Sequence, residues 1–73
     1  MADPTAESRE RVVTEQARCQ RILTQLEAAG DIEGYFYTSL AAALRRSGDA
    51  LAFGDQEELE EVKQELESFA WNP

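Results

Sequence analysis

Cys19 is the one cysteine in this 73-residue sequence, and the chain contains no histidine to activate it. A thiol attacks as the thiolate, so it needs a neighbouring base and access to substrate. Placed on a helix, Cys19 falls in the middle of an apolar seam, where a small thiol packs like any other hydrophobe. General acid–base work at neutral pH relies mostly on imidazole, which is missing. The 15 carboxylates are the remaining reactive groups. A calcium loop needs oxygen ligands at alternate positions around a central glycine; the stretch from Asp49 to Asp55 has Gly54 but only two carboxylates. A structural zinc needs about four Cys or His ligands. The expectation is a protein that is not an enzyme and carries no metal and no cofactor.

Recognition is the chemistry left. The net charge is −8, from 15 acidic and 7 basic residues, which disfavours direct contact with nucleic acid or an anionic membrane. Residues 1–54 hold 8 acids and 6 bases, net −2; residues 55–73 hold 7 acids and 1 base, net −6. Glu57, Glu58, Glu60, Glu61 and Glu65 crowd this last stretch. Like charges one helical turn apart, such as Glu57/Glu61 and Glu61/Glu65, each cost a few tenths of a kcal/mol. Either a solvated helix face or a surface for a basic partner accounts for them.

Those residues must be positioned by helices, because period-2 stretches are too short for strands. The fold class expected is all-α: one small domain over residues 1–73, a three-helix bundle with a long N-terminal helix. Helix 1 is placed at about 4–29, with Asp3 as cap, Pro4 in the first turn and Gly30 as stop. Helix 2 is placed at about 32–46, between Asp31 and Gly48. Helix 3 is placed at about 56–70, with Asp55 and Glu58 as a capping box. The short Gly30-Asp31 link makes helices 1 and 2 an antiparallel hairpin. Ser47 to Gly54 then reads as a loop, with Leu51 and Phe53 packing back beneath it.

Side chains on a helix turn by about 100° per residue. Ser8, Val12, Glu15, Cys19, Ile22, Leu26 and Ala29 then form one seam, its gaps alternating four and three as in a coiled coil. Leu59, Val62, Leu66, Phe69 and Ala70 share the inner arc of helix 3; Phe36, Leu40, Ala43 and Leu44 share that of helix 2. At 1.5 Å per residue, helix 1 spans about 39 Å and its neighbours about 23 Å each. The end around Ser8 to Glu15 should therefore overhang, leaving Val12 and Val13 in need of cover. A core this small rarely supplies more than about 3–5 kcal/mol. A homodimer joined at Val12, Glu15 and Cys19 is the candidate source of both cover and stability. Glu15, a carboxylate in that seam, needs a cation: Arg11 or Arg18 on its own helix, or Arg45 or Arg46 across an interface.

Tyr35, Phe36 and Tyr37 point in three directions. Phe36 shares Leu40's face. Tyr35 stands over Ser39, Ala42 and Arg46, a small and polar stripe, and is a candidate partner contact, since tyrosine suits half-wet interfaces. Trp71 falls off the apolar arc of helix 3; it either folds back over the core or anchors a partner. The expected function is that of a small acidic interaction or adaptor module that binds another protein, one with a basic surface. The alternative is an inhibitor of the antitoxin, anti-restriction or anti-CRISPR kind, whose helix 3 carboxylates imitate nucleic-acid phosphates. No apolar run approaches the roughly 20 residues of a membrane span, and residues 1–4 lack the character of a signal peptide; the localisation expected is cytoplasmic.

Overall fold

The computed structural model describes residues 4–70. Among them are three helices and no strand: α1 (Pro4–Ala28), α2 (Tyr35–Phe53) and α3 (Gln56–Glu67). They pack as a three-helix bundle 44 Å long and 19 by 16 Å across. No helix among the described residues is long and apolar enough to cross a membrane.

α1 ends where its sequence tells it to. Gly30 takes the left-handed conformation, φ 75°, which costs a glycine little. Its N–H donates to the Glu27 carbonyl at 3.1 Å, and the Asp31 N–H reaches back to Leu26 at 2.9 Å. This pair of bonds is a Schellman motif, and it satisfies carbonyls the helix end would leave bare. α3 begins on Asp55, whose carboxylate accepts from the Glu58 N–H at 3.0 Å. Glu57 and Glu58 add negative charge to its positive end.

α2 differs most from the expectation of a helix over 32–46. It starts at Tyr35, because Gly34 is extended (φ −78°, ψ 159°) and holds the chain out of the helix. It then runs through Gly48 to Phe53. A glycine inside a helix costs only about 1 kcal/mol relative to alanine, and burial on both sides of Gly48 outweighs that. Ser47 and Ala50 are both buried. Ser47 Oγ donates to the Leu44 carbonyl at 2.7 Å and accepts from Gln16 Nε2 at 2.8 Å. The helix stops at Gly54, whose N–H donates to the Ala50 carbonyl at 2.8 Å. The link to α3 is thus two residues, Gly54 and Asp55, rather than a loop from Ser47. Leu51 packs against the core, but Phe53 is 88% exposed and does not tuck beneath anything.

The two glycines of this segment predict opposite outcomes. A methyl at Gly48 meets nothing within 4 Å, whereas one at Gly54 lies 2.7 Å from the Ala50 carbonyl oxygen. Gly48→Ala is expected to stabilise the chain by about 0.5–1 kcal/mol. Gly54→Ala forces the backbone to shift and is expected to destabilise it. Urea midpoints of the two variants check both signs.

The longer α2 removes the overhang. At 19 residues it spans about 28 Å. Its pairs with α1 step along both helices: Tyr37 Oη donates to Glu27 at 2.9 Å, Gln16 donates to Ser47, and Arg9 donates to the Leu51 carbonyl at 2.7 Å. α3 meets the start of α1 through Ser8 Oγ, which donates to Glu60 Oε1 at 2.6 Å. Val12 and Cys19 are 0% exposed and Ser8 is 5% exposed, all within one chain. Val12 and Cys19 therefore present no surface for a second copy, and the premise on which a homodimer through α1 was expected does not hold. Val13 stays half exposed. The core unites Val12, Cys19, Ile22 and Leu26 of α1 with Leu40, Ala43 and Ala50 of α2 and Leu59, Val62 and Leu66 of α3.

α3 ends at Glu67 rather than near residue 70. Arg18 intervenes there. Its guanidinium donates to the Leu66 and Phe69 carbonyls, each at 2.7 Å, and to Glu15 at 2.6 Å. A cation on the last carbonyls of a helix satisfies them and suits the negative end of its dipole. Glu15 thus finds its partner one turn away on its own helix, with its side chain only 12% exposed.

Candidate functional site

Tyr35 opens α2 and is 88% exposed. It stands at the mouth of a groove between α2 and the end of α3, lined by Ser39, Ala42 and Arg46 on one side and by Glu65 and Phe69 on the other. The stripe of Tyr35, Ser39, Ala42 and Arg46 expected from helical spacing is one wall of this groove. Phe69 supplies apolar floor. Its ring meets Phe36 edge-on, centroids 5.7 Å apart and planes at 74°, a favourable aromatic geometry. Phe69 is in turn fixed from behind by the bond from Arg18 to its carbonyl. Across the groove, Arg46 grips Glu65 with two bonds, Nε at 3.1 Å and Nη2 at 2.6 Å. Both ends of this pair are more than a third exposed, so water screens it and its stabilisation is small.

The glutamates of α3 fall into two groups. Glu65 is held by Arg46, and Glu60 is held by Ser8, by Lys63 at 2.9 Å and by Gln56 at 3.3 Å. Glu57, Glu58 and Glu61 form no ion pair among the described residues and face solvent. Helical spacing puts Glu58, Glu61 and Glu65 in one row on the side of α3 nearest α2. Of the five glutamates expected to meet a partner, Glu60 and Glu65 are committed within the chain and Glu57, Glu58 and Glu61 are available. Trp71 lies outside the described residues.

Around Ser8, Gln56 and Glu60 lies a second recess, polar throughout and bordered by Arg11 and Lys63. Gln56 Nε2 donates to Ser8 Oγ at 2.8 Å, while its Oε1 is buried without a partner. The Ser8 hydroxyl, then the Lys63 ammonium, hold the Glu60 carboxyl below its ordinary value. Its folded pKa is below its unfolded one, so Glu60 contributes stability above the unfolded value, and that contribution fades as pH falls through the folded one. Ser8→Ala is expected to move the Glu60 titration midpoint upward, and a carbon-detected NMR titration of its carboxyl reads this directly.

Cys19 has the opposite surroundings from a nucleophile. It is fully buried, burial pushes its thiol up, and Sγ lies 3.5 Å from the Leu66 carbonyl. Among the described residues no group of three or more Cys, Asp and Glu side chains is placed to hold a metal ion.

Sequence reasoning missed Phe53, which was assigned to a loop. Its signal was nonetheless present: residues 35, 39, 42, 46, 49 and 53 alternate gaps of four and three, the same spacing that marks a helical seam. The chain matches no protein-family model, and comparison with curated proteins and with solved structures gives no significant match in either.

Proposed function

We propose that this chain is a non-enzymatic interaction module that binds another protein, one with a basic surface, over the face shared by α2 and α3. Tyr35 carries this reading. It is a large aromatic left 88% exposed at the mouth of a groove, while the apolar residues of the bundle's inner faces are covered. Such residues serve as anchors because they bring large area with few rotors to freeze. The contact ladder between α1 and α2 fits an antiparallel hairpin, which leaves the outer side of α2 open for the partner. The unpaired Glu57, Glu58 and Glu61, further toward the start of α3, favour a cationic partner.

Those same three carboxylates support a second reading, an acidic inhibitor that occupies a basic nucleic-acid groove on its target. Salt separates the two. Charge mimicry makes affinity fall steeply with ionic strength, whereas an anchored aromatic makes it fall little. The test is affinity capture from the native cell with the wild-type chain, Tyr35→Ala, and a chain with Glu57, Glu58 and Glu61 reversed to Lys. A partner lost on Tyr35→Ala supports the module. A partner retained by Tyr35→Ala and lost on charge reversal overturns it in favour of the mimic.

A further inference from the structure

We infer that the occupant of this face is a basic amphipathic helix of about 18 residues, lying along α2 and α3 in the position of a fourth bundle helix; this rests on the reading of Tyr35 as an anchor. α2 carries two seams of coiled-coil spacing side by side. Phe36, Leu40, Ala43, Ser47 and Ala50 make the inner one, which the bundle fills. Tyr35, Ser39, Ala42, Arg46, Asp49 and Phe53 make the outer one, of which Ser39 and Ala42 are half-buried and the other four exposed. Tyr35 and Phe53 are 18 residues apart, about five full turns, so they project in the same direction about 27 Å from each other.

Each end of this outer seam is an aromatic 88% exposed; between them Ser39 and Ala42 are small, while Arg46 and Asp49 are exposed and charged. Ser39 and Ala42 keep the surface low next to Tyr35, which lets another helix approach closely there, and the exposed Arg46 and Asp49 beyond them, with the half-buried Glu65, offer it charged contacts. A helix laid between the two rings meets an apolar anchor at each end, the arrangement by which amphipathic helices dock into grooves. Charge settles what flanks its apolar stripe. The wall toward α3 presents Glu58 and Glu61 without ion pairs, and Asp49 lies on the seam itself; Arg46, the seam's one cation, is spent on Glu65. Lysine or arginine beside the stripe complements that wall. A second copy of this chain is a poor occupant, since two chains of net charge −8 repel.

The probe is a fluorescein-labelled 18-residue peptide with leucine at alternating four- and three-residue spacing, lysine on both flanks and alanine elsewhere. A scrambled peptide of the same composition is the control. Fluorescence anisotropy against the full chain at physiological salt should give at least tenfold tighter binding for the patterned peptide. Tyr35→Ala, Phe53→Ala and the pair Glu58→Lys/Glu61→Lys should each weaken it by about tenfold, about 1.4 kcal/mol. Both rings are exposed, so circular dichroism should be unchanged in these variants, and Phe53→Tyr should restore binding. Equal affinity for the scrambled peptide overturns the inference. So does binding that responds to Tyr35→Ala but not to Phe53→Ala, an outcome that leaves the Tyr35 groove standing and removes the helix. Sedimentation showing a dimer that Phe53→Ala dissociates overturns it in favour of a second copy.

Discussion

Leu40→Ala is expected to cost about 3 kcal/mol, within the range of about 2–5 for deleting a buried leucine. Leu40 is 0% exposed and belongs to the one core that all three helices share. A chain of this length has a total stability of only about 4–11 kcal/mol, from about 0.05–0.15 per residue. One substitution therefore removes a large part of it, because a 73-residue bundle has no second core to fall back on. The urea midpoint should drop sharply with an unchanged slope. Cys19 offers an independent readout, since its buried thiol reacts with a disulfide reagent only when the bundle opens. A faster Cys19 reaction in Leu40→Ala than in wild type is the expected kinetic counterpart.

Arg18→Met is expected to cost about 2–3 kcal/mol. The methionine keeps the apolar stem and removes the guanidinium, which makes three bonds: to Glu15, to the Leu66 carbonyl and to the Phe69 carbonyl. The loss leaves Glu15, 12% exposed, without its cation and takes a charged donor from the Leu66 and Phe69 carbonyls at the end of α3. More than a third of the Arg18 side chain is exposed, and water filling in behind it keeps the cost below the sum of three charged hydrogen bonds. Glu15→Gln in the Arg18→Met background should recover part of the loss, because the unpaired charge is then gone. Thermal unfolding of the two single variants and the double measures this coupling. The consequence for function is local. Phe69 lines the groove with Tyr35, so freeing its carbonyl should loosen the proposed binding face before the rest of the bundle.

The seam of α1 was readable from spacing alone as far as Leu26; Ala29, its last expected member, is exposed just beyond the helix. Ser8, Val12, Cys19, Ile22 and Leu26 are all buried, and Glu15 sits between them with Arg18 one turn on, as their periods require. Leu59, Val62 and Leu66 of the inner arc of α3 and its Asp55 cap were equally legible, because a capping oxygen and a regular apolar repeat are local signals; Phe69 and Ala70 fall past the helix end, and Ala70 is exposed. The middle of the chain was not. Gly48 reads as a stop, yet nothing near it requires a turn, and Ser47 and Ala50 on either side gain burial only if the helix continues. Tertiary packing overrode a local propensity worth about 1 kcal/mol. That single misreading hid the proposed docking seam as well: a helix ending at residue 46 leaves Val12 uncovered and puts Phe53 in a loop, whereas one ending at Phe53 covers the first and aligns the second with Tyr35. The bonds of Glu60 and Glu65 within the chain were illegible for a similar reason. Their partners, Ser8 and Arg46, come from other helices, where periodicity within α3 says nothing of them.

The unbroken run of α2 from Tyr35 to Phe53 underlies both the closed core and the open outer seam. Backbone chemical shifts, measured by NMR on a monomeric sample, test it residue by residue. Helical Cα shifts that continue through Ser47, Gly48 and Asp49 to Phe53, with the amides of Ala50 and Leu51 slow to exchange, are the expected result. A return to coil values at Ser47 and Gly48 would contradict it, since Phe53 would then leave the stripe of Tyr35 and Val12 would lose its cover.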